Sequence, residues 1–330
     1  MSKKTVTLLS CVVASLIIAG CGGEKMIPPL LRLPDADRLV ITFAFSSGAD
    51  LVGTSMDLFQ ITKDGRFQTP FPSTSGIDED PEWSNDGTTL VFTSWAPGNT
   101  YVPSLWVANA DGTGLRRIVV DSTPLPGTTN QQLHGSWSPD RASIAFRREV
   151  NVPSTSLVDD NRETGIAVMG ADGSGVRWLA PGGDAPSWSS TNRIAFGKDG
   201  FIWTVAPDGS GLLRVTSTGG DMYPKWSRDG STLVFRHVTP SVGTNRRYDI
   251  DVVTIRADGS DRRTLVTGAY AVGASWSADG AYVLYDRQDS SDPGQPRCTL
   301  HKIPATGGTD VDLTPNRGVG LCGGASWRPM

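Results

Sequence analysis

The chain has 330 residues and a formal net charge of −4, so it lacks the basic balance that nucleic-acid binding needs, and no such partner is expected. No run of about 20 apolar residues occurs, which excludes a membrane-spanning helix from the expectations. Ten Trp against three His favour a large packed core over an active site built from histidines.

At the N-terminus, Lys3 and Lys4 precede an apolar stretch over residues 6–18. That stretch is too short to span a bilayer but suits a secretory signal. It ends in Ile18-Ala19-Gly20-Cys21, which resembles the lipobox of bacterial lipoproteins. The resemblance implies a signal peptide over 1–20, cleavage before Cys21, and acylation of Cys21 with palmitate-type chains. Residues 21–33 then form a short lipidated tether, and the partner at this end is a membrane. Gly22, where an Asp would signal inner-membrane retention, places the expected location in the bacterial cell envelope, at the outer membrane or cell surface. Cys11 leaves with the signal, so Cys298 and Cys322 remain as a disulfide candidate in an oxidising compartment.

From residue 34 onward the chain repeats itself. Trp83, Trp137, Trp188, Trp226, Trp276 and Trp327 each follow a small residue or Pro by two positions, and all but the last are followed by Ser. Three copies run on into Asp-Gly, at Asp86, Asp229 and Asp279, a strong signal for a tight hairpin. Phe92, Phe146, Phe235 and Tyr285 then end short strand-like runs. A second hairpin follows in every repeat, turning at Gly65, Gly112, Gly173, Gly209, Gly259 and Gly307. Four short strands repeated six times predict an all-β, six-bladed β-propeller of four-stranded blades over residues 34–330. The length prior of about 150 residues per domain would instead give two domains. The wording WSxDG, then an LVF-like strand, then ADGSG resembles the TolB-type propeller repeat. The α/β domain that precedes the propeller in TolB proteins has no counterpart between Cys21 and residue 34.

The opening blade has no Trp of its own. Residues 39–41 align with Leu90, Val91 and Phe92, and the strand around Trp327 is expected to complete this blade and close the ring. Within a blade, the first-to-second and third-to-fourth strand turns are tight and share one face. The other face carries long loops, except at Lys198, Asp199 and Gly200, which explains the short interval between Trp188 and Trp226. Binding commonly resides on variable loops, so the long-loop face is the expected functional face. Its interface candidates are Trp95, Tyr101, Arg162, Arg246, Arg247 and Tyr248. The tether enters beside a tight turn, which points that opposite face towards the membrane.

Positions three and five before each repeat Trp begin the innermost strand, near the channel mouth. Asp78, Asp80, Gln132, His134, Asp221 and Tyr223 fall there, with Asp184 adjacent, as candidates to bind a cation or a polar ligand. His301 occupies a core position, and His237 ends a strand near the long loops. No His-x-x-x-His, paired-Cys, EF-hand, G-x-S-x-G, Rossmann or P-loop motif occurs, so no catalytic residue and no resident cofactor is assigned. The expected function is that of a lipid-anchored, non-catalytic binding or scaffold module for an envelope protein or glycan. The alternative is a metal-dependent, lyase-like enzyme acting on glycans at the channel mouth, because oligogalacturonate lyases resemble this repeat family.

Overall fold

The computed structural model describes residues 39–45, 56–66, 68–95, 102–118, 129–151, 162–240, 248–289, 297–314 and 322–329. Signal peptide, tether, Cys21, Tyr101, Arg246 and Arg247 lie outside these residues, as do the side chains of Arg162 and Cys322. The described residues form six sheets, each of four antiparallel strands. Five blades run in chain order from the inner strand outward, and they are named below by their tryptophan. The sixth joins the strand Cys322–Trp327 to Leu39–Phe45, Asp57–Thr62 and Gln68–Pro70. The chain is one ring, not two domains.

The repeat motif is legible as hydrogen bonds. In the Trp83 blade, Ser84 Oγ donates to Asp86 Oδ1 at 2.7 Å, and the same oxygen accepts from the Thr89 amide at 3.1 Å. The pattern recurs at Ser138–Asp140, Ser227–Asp229 and Ser277–Asp279, each at 2.6 Å. A side chain thereby satisfies the backbone of the tight turn, and glycine takes the positive φ the turn needs, 66° at Gly87. The aromatics of the second strands, Phe92, Phe146, Phe196, Phe235 and Tyr285, lie within those strands rather than at their ends and are all fully buried. Together with the apolar residues of neighbouring strands they form the core between blades.

Closure differs in register from the sequence alignment. Ile41 faces Trp327 as Leu90 faces Trp83, so Phe43, not Ile41, is the counterpart of Phe92. A shift of two residues leaves every side chain on the same face, which is why alternation alone could not detect it.

Cys298 is buried in the cluster that joins the Trp276 blade to the closing blade, and it is disulfide-bonded. Its pairing with Cys322 remains our expectation. Cys298→Ser should lower stability by about 2–5 kcal/mol in non-reducing urea melts. An unchanged midpoint would show that the crosslink constrains nothing.

Candidate functional site

The inner strands carry a shared irregularity. Their pairing slips between Glu79 and Glu82, Leu133 and Ser136, Asp184 and Ser187, and Met222 and Lys225. Inside each slip, three residues before the tryptophan, the backbone turns left-handed: Asp80 at φ 51°, His134 at 52°, Ala185 at 47° and Tyr223 at 57°. Such a bulge bends the strand and re-aims one side chain. Pro81, Pro186 and Pro224 sit beside it, where a missing N–H costs no regular ladder bond. Gly324 takes the same place in the closing blade at φ 87°, and a Cβ there would lie 3.2 Å from Asp80 Oδ1.

Four of the predicted residues, Asp80, His134, Asp184 and Tyr223, meet here. His134 is clamped between carboxylates, with Nε2 at 3.1 Å from Asp80 Oδ2 and Nδ1 at 3.0 Å from Asp184 Oδ1. Burial opposes a charge on this imidazole, but Asp80 and then Asp184 prevail and lift its pKa to about 10. Burial likewise opposes the Asp184 charge, yet the bond and charge of His134, then Arg147, hold its carboxyl below the usual range. Tyr223 meets the His134 ring edge-on at 5.3 Å between centroids. The Arg236 guanidinium covers the other ring of this stack, 3.7 Å from the Tyr223 centroid, a close cation–π contact.

The remaining candidates divide differently. Asp78 is fully buried and accepts from the Thr74 amide at 2.6 Å and the Thr74 hydroxyl at 2.8 Å, so it ties down the loop before its strand. Burial pushes its pKa up. Gln132 is buried, and its Oε1 lacks a partner. Asp221 is fully buried and binds Arg262 through both carboxylate oxygens, at 2.8 and 2.9 Å, and His237 Nδ1 at 2.8 Å. His237 thus serves Asp221. His301 packs on Tyr285 and bonds Asp310 at 2.8 Å. On the long-loop face, the Trp95 indole is turned inward and donates to Glu79 Oε1 at 2.8 Å. Tyr248 is 48% exposed and stacks on Tyr270 at 6.2 Å, whose hydroxyl donates to the Tyr248 carbonyl.

Sequence reasoning missed Glu79, Arg147, Arg236 and Asp286. The last three share a position, immediately after the buried aromatic of the second strand, so the repeat register could have found them. Asp286 accepts from the Val272 and Gly273 amides at 2.6 and 2.8 Å. Burial nonetheless pushes its pKa to about 6. For Glu79, burial and then the Asp80 charge push the carboxyl to about 7.

A raised carboxyl pKa stabilises the fold fully below the unfolded value and is lost as pH climbs through the folded one. Glu79 should therefore cost stability between pH 4.5 and 7, by about 1–3 kcal/mol. Glu79→Gln keeps an acceptor for Trp95 and should flatten that loss in urea melts taken at several pH values. An identical pH profile in the variant would refute the assignment.

Among the described residues, no three His, Cys, Asp or Glu side chains gather as a metal site. At His134 both ring nitrogens lie within hydrogen-bond reach of a carboxylate, Asp80 on one side and Asp184 on the other.

No protein-family model matches the chain, and no curated protein matches it. Solved structures do match. TolB from Acinetobacter baumannii aligns with a TM-score of 0.67 at 16% identity, covering 88% of this chain and 67% of that one. A TolB candidate from Agrobacterium tumefaciens gives 0.55 at 18% identity, covering 87% and 91%. The fold is a TolB-type six-bladed propeller. A chain from a nidogen–laminin complex gives 0.60 at 11% identity, covering 87% of this chain and 98% of that one. At such identities the likeness of this TolB-type propeller to its neighbours is one of fold.

Proposed function

We propose that the protein is a lipid-anchored propeller of the bacterial cell envelope that binds a protein or glycan without catalysis. The observation that carries this reading is the closed charge cluster at the channel mouth. An imidazole clamped between Asp80 and Asp184 is a poor general base, and the neighbouring Arg147, paired with Glu149 at 2.9 Å, also lies 3.7 Å from Asp184. The lipobox-like Ile18-Ala19-Gly20-Cys21 supports the anchor. A chain of similar fold comes from a nidogen–laminin complex, and that likeness supports a protein-binding reading.

Binding is assigned to the long-loop face, where Tyr248 is exposed; the sequence adds Tyr101, Arg162, Arg246 and Arg247 as interface candidates. Labelled palmitate should enter the protein and be lost in Cys21→Ser. Photo-crosslinkers at Tyr101 and Tyr248 should capture one saturable envelope component, and crosslinkers on the Asp111–Gly112 turn should not. Metal analysis separates the enzyme alternative: a stoichiometric metal lost in His134→Ala would overturn the non-catalytic reading.

A further inference from the structure

A second polar constellation lies away from the channel mouth, on the outer strands of the Trp276 blade. Opposite the buried aromatic of the second strand, the third strand carries Phe59, Trp106, Ala167, Trp203 or Val253 in the other five blades. In this blade it carries His301, facing Tyr285. Asp310 stands two residues before the fourth-strand partner of His301, a place that Leu115, Val176 and Leu212 fill elsewhere. Three positions that are mostly apolar in this ring are therefore polar together, and they bond one another.

Asp310 Oδ2 accepts from the Tyr285 hydroxyl at 2.8 Å and lies 2.8 Å from His301 Nδ1. The Tyr285 bond, against burial, and then His301 and Arg287 hold the Asp310 carboxyl below its usual range. A carboxylate has no proton to give, so Nδ1 carries the proton of that bond. In the neutral ring the Nε2 lone pair then faces Thr299 Oγ1 at 2.9 Å. The other acceptor near this hydroxyl, the Arg287 carbonyl, is 3.5 Å away. Thr299 and Arg287 are cross-strand partners and share a face of the sheet. Thr299 is half-buried and Arg287 exposed, and the Arg287 charge acts on both Tyr285 and Asp310. A hydroxyl backed by an oriented imidazole, with a cation on the same face for a developing oxyanion, is the arrangement of an activated nucleophile.

We propose that Thr299 is an acyl-acceptor site, modified once per chain by an activated ester. Its Oγ1 attacks the ester carbonyl carbon and forms a new O–C bond while its proton passes to His301 Nε2. The bond from that carbon to the leaving oxygen then breaks, and the leaving oxygen departs with the bonding pair and the proton. Atoms and electrons balance without an oxidant or reductant. Asp310 positions the imidazole, and Arg287 supplies positive charge on that face. One transfer per chain is a modification rather than turnover, so it stands or falls apart from the binding role proposed above.

Incubation of the purified full protein with p-nitrophenyl acetate, followed by mass spectrometry of tryptic peptides, tests the site. The peptide over residues 298–302 holds one hydroxyl, that of Thr299. General-base assistance contributes about 10²–10⁴-fold, so Thr299 should gain acetyl at least about a hundredfold faster than exposed Thr306. His301→Phe, which installs the aromatic that the closing blade has at this place, should bring Thr299 down to the Thr306 rate. Asp310→Asn, which keeps the shape but can turn an N–H towards Nδ1, should slow Thr299 by a similar factor. Equal rates at Thr299 and Thr306 in the unsubstituted protein would overturn the proposal. So would fast labelling of Thr299 that survives either substitution in a variant that still melts cooperatively, since exposure alone would then account for it.

Discussion

A chain ending at residue 321 should lose cooperative unfolding altogether. The missing strand pairs through Trp327, Ser326 and Ala325 with Ile41, Thr42 and Phe43, and among the described residues no other strand pairs with that edge. Ser326 Oγ also accepts from the Trp83 amide at 3.3 Å, and Arg328 Nε donates to the Gly87 carbonyl at 2.7 Å. Loss of one such aromatic alone costs about 3–5 kcal/mol, and a whole domain is stable by about 5–15 kcal/mol. The open edge would in addition invite pairing between chains. Circular dichroism melts should show a broad or absent transition with aggregation. A truncated chain that melts within a few degrees of the full one would contradict closure by this strand.

The second large effect belongs to Asp221. Its carboxylate is fully buried and holds Arg262 and His237, while its amide donates to the Gly200 carbonyl at 2.9 Å in the preceding blade. Asp221→Ala leaves a guanidinium and an imidazole without their shared acceptor. Breaking such a pair typically costs about 3–5 kcal/mol, less here because Arg262 retains 28% exposure and can recover some water. Asp221→Asn, which keeps one acceptor oxygen, should cost distinctly less. Urea midpoints of the two variants measure the difference, and a cost below about 1 kcal/mol for Asp221→Ala would reduce the network to decoration.

The ring was legible because its signals are local and repeated. Ser-x-Asp-Gly satisfies its own turn, and an apolar residue at a fixed distance from each tryptophan fills the same core site. The candidate site was half legible. Position three before the tryptophan marked Asp80, His134 and Tyr223, but position five marked residues that the fold uses internally, Asp78 and Asp221. Two strand positions differing by two normally share a face. The bulge between them breaks that rule, and only its proline hinted at it. Glu82 and Lys225 are farther apart in sequence than any pattern connects, since their pairing depends on the ring having six blades that set them opposite.

The protonation state of His134 tests the non-catalytic reading most directly. Nitrogen-15 NMR of the folded protein should show both ring nitrogens protonated at pH 7, with titration only near pH 10. A neutral ring at pH 7, titrating near 6.5, would free one nitrogen for a proton or a metal and contradict the account.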